Sequence, residues 1–157
     1  MGAAAACRRA RRFDQRGSPV QARPTGRCET DYRSTSNVAL STVFVVEDDV
    51  DTRDMLGRFL ELEGFQVEVA ANGKQALDRL TSGVHPCVIL LDLMMPVMDG
   101  WQFRRQQVLD RQLADIPVIV VSAAGKERIA GIDADGYLSK PVDLEQLLAQ
   151  VNQYCCD

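Results

Sequence analysis

The stretch VILLDLMMPVMDG, residues 88–100, carries four apolar residues straight into a carboxylate. Val88 to Leu91 read as a strand buried on both faces, because no polar residue interrupts them. Asp92 ends the run, and Pro96 and Asp99-Gly100 then bend the chain away. A carboxylate in that place has two readings. It closes an Asx turn before Pro96, or it stands where chemistry happens.

The flanking sequence repeats the pattern. TVFVV (42–46) and PVIVVSA (117–123) are further buried runs, FQVEVA (65–70) alternates like a strand, and GYLS (136–139) is a short one. Between them lie segments with helical spacing. DTRDMLGRFLELEG (51–64) places Met55, Leu56, Phe59, Leu60 and Leu62 on a helix stopped by Gly64. NGKQALDRLTSG (72–83) opens at Asn72 and closes at Gly83, and GWQFRRQQVLDRQL (100–113) follows Asp99. KERIAGI (126–132) allows at most two turns, and DLEQLLAQVNQY (143–154) is a final amphipathic helix. Strands alternating with helices predict an α/β fold, doubly wound, with a parallel sheet of five strands and helices on both faces. Ligands of such sheets bind beyond the carboxyl ends of the strands, at the switch point.

Composition sets the outer bounds. The 157 residues are 46% hydrophobic and 25% charged, enough for one core. Residues 1–40 hold eight arginines against three acids (8 − 3 = +5), and the remainder holds ten basic and nineteen acidic residues (10 − 19 = −9). The first forty residues lack periodicity and read as a disordered basic N-terminal extension, with residues 41–157 as the folded domain. Only Phe13 and Tyr32 are aromatic there, so nucleic acid is not expected as a partner. Five cysteines show no zinc spacing and no disulfide framework, which favours a reducing, cytoplasmic setting. No run approaches the length of a membrane span, so no membrane partner is expected.

The strand ends carry the chemistry. The first strand ends in Glu47-Asp48-Asp49, the third in Asp92, the fourth in Ser122 and the fifth in Ser139-Lys140-Pro141. Singly, each has an ordinary reading: Asp48 or Asp49 caps the next helix, Ser122 turns the chain, and Lys140 is solvated. On one rim, three carboxylates, a hydroxyl and an ammonium suit Mg²⁺ and a transferred phosphoryl group, with an aspartate as nucleophile.

VVEDD, LLDLMMPVMDG, VSA and YLSKP, in that order and spacing, resemble the receiver (CheY-like) domain of two-component response regulators over about residues 41–155. The resemblance implies a flavodoxin-like strand order 2-1-3-4-5. It implies Asp92 as phosphoacceptor, Glu47 and Asp48 as the acidic pair of the Mg²⁺ site, and the Met94 carbonyl as a further ligand. Lys140 would hold a phosphoryl oxygen, with a cis Lys140–Pro141 bond. Ser122 would swing to the phosphoryl group and Tyr137 would change rotamer with it. The donor would be a histidine kinase or a His-containing phosphotransfer protein, and output would pass by docking to a downstream protein. Glu47 and Ser122 stand where the family commonly has aspartate and threonine, both tolerated variants. Met94 and Ala124 are apolar where the family tunes water access to the phosphoryl group, which implies a long-lived one.

Between Ser122 and Tyr137 the chain is short, so the fourth helix is expected to lack about a turn. The chain stops with the last helix, which suggests a stand-alone receiver, a signalling domain rather than an enzyme. The alternative is a pseudo-receiver, an interaction module not regulated by phosphorylation. A phosphohydrolase would want a second acid two residues beyond Asp92, and that position is Met94.

Overall fold

The computed structural model of the protein describes residues 40–125, 129 and 131–155. Nearly all of the N-terminal extension, and most of the short helix expected over 126–132, lie outside the described residues. The elements are β1 (Thr42–Val46), α1 (Val50–Leu62), β2 (Gln66–Ala70), α2 (Gly73–Thr81) and β3 (Val88–Leu91), then α3 (Gly100–Leu109), β4 (Val118–Ser122), β5 (Gly136–Ser139) and α4 (Leu144–Tyr154). The five strands form one parallel sheet in the order β2-β1-β3-β4-β5. This is the doubly wound parallel sheet expected from the sequence pattern, in the flavodoxin-like order that the resemblance implies.

Every residue of β3 and β4 is buried, because helices cover both faces. On one side Phe44, Val46, Ile89, Leu91, Val118 and Val120 meet Ala76, Leu80 and Phe103 of α2 and α3. On the other, Val43, Val45, Leu90, Ile119 and Val121 meet Leu56 and Leu60 of α1 and Leu147 and Val151 of α4. Two-sided burial explains why these strands do not alternate. Each fully buried aliphatic side chain contributes about 1.5–3 kcal/mol, so an outward polar position would forfeit a contact on one layer.

Side-chain caps set where the helices begin. Asp49, Asn72, Asp99 and Asp143 each accept from a backbone N–H one turn on, and Asp99 with Gln102 completes a capping box. Helix α1 stops before Gly64, whose φ of 94° suits only a residue without Cβ. Its apolar stripe is narrower than the sequence suggests. Leu56 and Leu60 are buried, whereas Met55 and Leu62 face solvent.

Helix α3 ends at Leu109, four residues before the expected Leu113. Gln107, fully buried, accounts for the early stop. Its Nε2 donates to the carbonyls of Leu113 and Ile116, both at 3.0 Å, drawing the chain into a turn. Its Oε1 accepts from Arg104 Nη1 at 2.9 Å, and Arg104 Nε donates to the Asp133 carbonyl. The pair therefore ties α3 to both loops that flank β4. Gln107→Leu would leave the Ile116 carbonyl without its donor and take one acceptor from the buried Arg104 guanidinium, while Leu113 keeps its bond from Ile116 N, with an expected loss of about 1–3 kcal/mol. A urea midpoint equal to wild type would refute that reading.

The cysteines depart from expectation. Cys87, just before β3, and Cys155, the C-cap of α4, form a disulfide with Cα atoms 5.3 Å apart. The two are 68 positions apart in sequence. Only the packing of α4 across the sheet brings them together.

Candidate functional site

The order β2-β1-β3 places the switch point between β1 and β3, where the chain leaves β1 in opposite directions. Val46 pairs with Leu91, so the next residues, Glu47 and Asp92, leave the sheet side by side. Asp92 N donates to the Val46 carbonyl at 2.9 Å, and Glu47 N to the Ala70 carbonyl at 3.0 Å. The backbone of both acids is thus held by the last rung of the ladder.

Carboxylate oxygens of Glu47, Asp48 and Asp92 lie within 4.8 Å of one another. Glu47 and Asp92 are buried and Asp48 is exposed. The capping role falls to Asp49, whose carboxylate accepts from Thr52 N at 2.7 Å, so no capping bond occupies Asp48. Lys140 enters from the end of β5. Its Nζ donates to Glu47 Oε2 at 2.7 Å and stands 3.6 Å from Asp92 Oδ2. The Lys140–Pro141 peptide is cis, and Lys140 N donates to the Ser122 carbonyl at 3.1 Å.

Ser122 is buried at the end of β4, its Oγ accepting from Ala124 N at 3.1 Å. The loop after Asp92 alternates: Leu93 and Met95 are buried in the core while the Met94 side chain points out. Val97 sits at φ 69° beneath a bond from Met98 N to the Pro96 carbonyl, a γ-turn that costs a β-branched residue backbone strain. Tyr137 stands apart from the acids on β5, half-exposed, with its hydroxyl donating to the Ile132 carbonyl at 2.6 Å.

Burial and the neighbouring Asp92 charge push the Glu47 carboxyl above the usual carboxylate range, against the hydrogen bond from Lys140. Burial alone would lower the Lys140 value. The hydrogen bond to Glu47 and the charge of Asp92 prevail and raise it instead. Three carboxylates face one ammonium, which leaves negative charge uncompensated. Hard oxygen donors beside open water suit a small divalent cation, Mg²⁺ above all.

Arg53 belongs to this site and escaped the sequence reading. Its Nη1 donates to the carbonyls of Glu47 at 2.8 Å and Asp48 at 3.3 Å, fixing the acidic turn. Its signal was its place in the first turn of a helix that follows the acids.

The family description of the response regulator receiver domain matches residues 43–152. The chain belongs to that family. The receiver domain is 42% identical over 113 residues to the response regulator MprA of Mycolicibacterium vanbaalenii, a match covering 69% of this chain and 48% of the relative. MprA of Mycobacterium tuberculosis matches to the same extent. The chain thus spans about half the length of the curated relatives it matches. Among solved structures, the chemotaxis response regulator CheY4 of Vibrio cholerae superposes with a TM-score of 0.66 at 28% identity, covering 73% of this chain and 98% of that one. The receiver domain of the Francisella response regulator 1452 gives 0.63 at 33%, covering 73% and 96%. Receiver domains are signalling modules of two-component systems, and the acidic cluster here is compatible with Mg²⁺. Among the described residues no helix is long and apolar enough to cross a membrane.

Proposed function

We propose that this receiver domain accepts a phosphoryl group on Asp92 from a phosphohistidine of a histidine kinase or phosphotransfer protein, and signals by a conformational switch that changes partner docking. The observation that carries this reading is the Lys140 ammonium between Glu47 and Asp92, at 2.7 and 3.6 Å, beside an exposed Asp48.

In the transfer, a carboxylate oxygen of Asp92 attacks phosphorus as the P–N bond to the donor imidazole breaks, and the imidazole takes up a proton. Asp92 is held by its backbone at the sheet edge, so little reorganisation precedes attack. Lys140 is positioned to offset charge on the phosphoryl oxygens. Asp48 and Asp92, with the Met94 carbonyl, are the direct oxygen ligands we assign to Mg²⁺, which supplies further charge compensation when bound. Glu47 acts less directly, because Lys140 and Asp49 N already engage its two oxygens.

The switch follows from the resting contacts. Ser122 Oγ is committed to Ala124 N, and Tyr137 is held outward by Ile132. A phosphoryl oxygen that draws the Ser122 hydroxyl favours another arrangement of the loop beyond β4 and frees Tyr137 to turn inward. The population shifts only because the phosphoryl group contacts that arrangement better.

The test is intact mass after incubation with acetyl phosphate and Mg²⁺. We expect one added phosphoryl group, lost when EDTA is present. No addition in a folded protein that also fails to bind beryllofluoride would refute the proposal and leave the pseudo-receiver.

The raised Glu47 carboxyl predicts a pH dependence. A carboxyl whose value lies above 4.5 gains its proton at higher pH than usual, so cation affinity should fall on acidification before pH 4.5 is reached. Mg²⁺ titrations followed by Trp101 fluorescence between neutrality and pH 5 check this. An acid-side loss of affinity that is identical in Glu47→Gln would show that Glu47 does not matter to the cation.

A further inference from the structure

We propose that Cys87 and Cys155 are a reversible oxidation site, closed by a low-molecular-weight disulfide such as oxidised glutathione, and that its state sets the stability of the last turn of α4. The site lies at the sheet edge opposite Asp92, because Cys87 leads into β3 and Asp92 leaves it.

Three observations carry the inference. The Cα separation of 5.3 Å lies within the range that a bridge spans without backbone movement. Both residues are half-buried against the α1–α4 side of the core, so neither is sealed inside it. The reduced state is also provided for. Cys87 Sγ lies 3.2 Å from the Thr42 carbonyl, an acceptor for its S–H, while Cys87 N bonds the same carbonyl at 2.8 Å in either state. Reduction therefore leaves the more deeply placed Cys87 thiol with an acceptor rather than an unpaired donor.

The consequence falls on α4. Its last turn holds no basic residue to complement the helix end. It is fastened by the Tyr154 hydroxyl, which donates to the Asp135 carbonyl at 3.0 Å, and by the bridge at Cys155. Opening the bridge removes the covalent tether and leaves the Tyr154 bond with the packing of Val151 and Tyr154 on the sheet. It also restores a 68-residue loop to the freedom of the unfolded chain.

Closure proceeds in two exchanges. One thiolate of the pair attacks a sulfur of the oxidant, forming a mixed disulfide and expelling one glutathione thiolate. The second cysteine thiolate attacks the protein sulfur of that mixed disulfide and expels the other. The pair is oxidised by two electrons, and its two protons end on the two glutathione thiols.

The test uses the full chain, first reduced and then treated with oxidised glutathione, with thiols alkylated and peptides mapped by mass. We expect a linked peptide pair joining Cys87 to Cys155, formed equally in Cys156→Ser and reversed by dithiothreitol. On reduction, amide exchange in residues 151–155 should rise about tenfold or more, and the thermal midpoint should fall by about 10 °C. Alkylation of both cysteines after oxidant, a Cys155–Cys156 bridge, a bridge between two chains, or unchanged exchange would each overturn the proposal. Cys155→Ser, at the end of α4, should match the reduced wild type even where Cys87→Ser disturbs the core. Neither readout depends on phosphorylation, so this inference stands or falls apart from the function proposed for Asp92.

Discussion

Asp92→Asn is expected to abolish phosphoryl incorporation from acetyl phosphate while leaving the fold intact. An amide oxygen is a poor nucleophile, and the substitution removes one of the three clustered carboxylates. Its shape is almost unchanged in a buried position, so the Val46–Asp92 backbone bond and the α2–α3 side of the core should persist. The variant should unfold at a urea concentration close to wild type, because the repulsion between Glu47 and Asp92 disappears along with one Lys140 contact. Intact mass separates the outcomes. An unchanged mass in the variant, against one phosphoryl group in wild type, is the expected result. Equal incorporation in both would mean that another residue accepts the group, and the assignment of Asp92 would fail.

The largest stability loss is expected at Gly100. A Cβ built there would lie 2.6 Å from the Asp92 carbonyl oxygen and 2.8 Å from Leu93 Cα, both backbone atoms that no rotamer change can move aside. The first turn of α3 approaches this closely because Gly100 N donates to the Leu93 carbonyl at 3.0 Å. Gly100→Ala must therefore push α3 away from the exit of β3, at a cost of about 3 kcal/mol or more. It would also displace the carbonyl of the phosphoacceptor candidate itself. Gly125→Ala is the control, since nothing lies within 4 Å of a Cβ there. Urea unfolding of the two variants should differ sharply. A Gly100→Ala midpoint near that of Gly125→Ala would show that the contact relaxes cheaply.

Most of the architecture was legible locally. The uninterrupted runs at 42–46 and 88–91 demand burial on both faces, and their alternation with helical segments demands a parallel sheet. Asn72 and Asp99 announced helix starts by residue type, and the structure uses both as caps. The rim residues were legible because each ends a strand, and parallel strands deliver their ends to one edge. What stayed hidden depended on the width of a stripe or on a distant partner. Met55 and Leu62 have the spacing of core residues, yet the sheet beneath α1 accommodates only Leu56, Leu60 and their neighbours. Gln107 is a polar residue that no local pattern marks as buried, and it ends α3 from inside. As helix caps Asp48 and Asp49 were equal candidates, separated only by the resemblance, and Thr52 N bonds Asp49.

By itself, then, the sequence determined the order of elements, the sheet, the set of rim residues and the family, because these rest on periodicities and spacings that the chain carries in its own order. Tertiary structure alone decided that Lys140 sits 2.7 Å from Glu47, that Arg53 braces the acidic turn, and that Cys87 meets Cys155. Those are contacts between residues far apart in the chain or across a turn. Their distances are set by how the helices settle on the sheet, a packing outcome that no local pattern encodes.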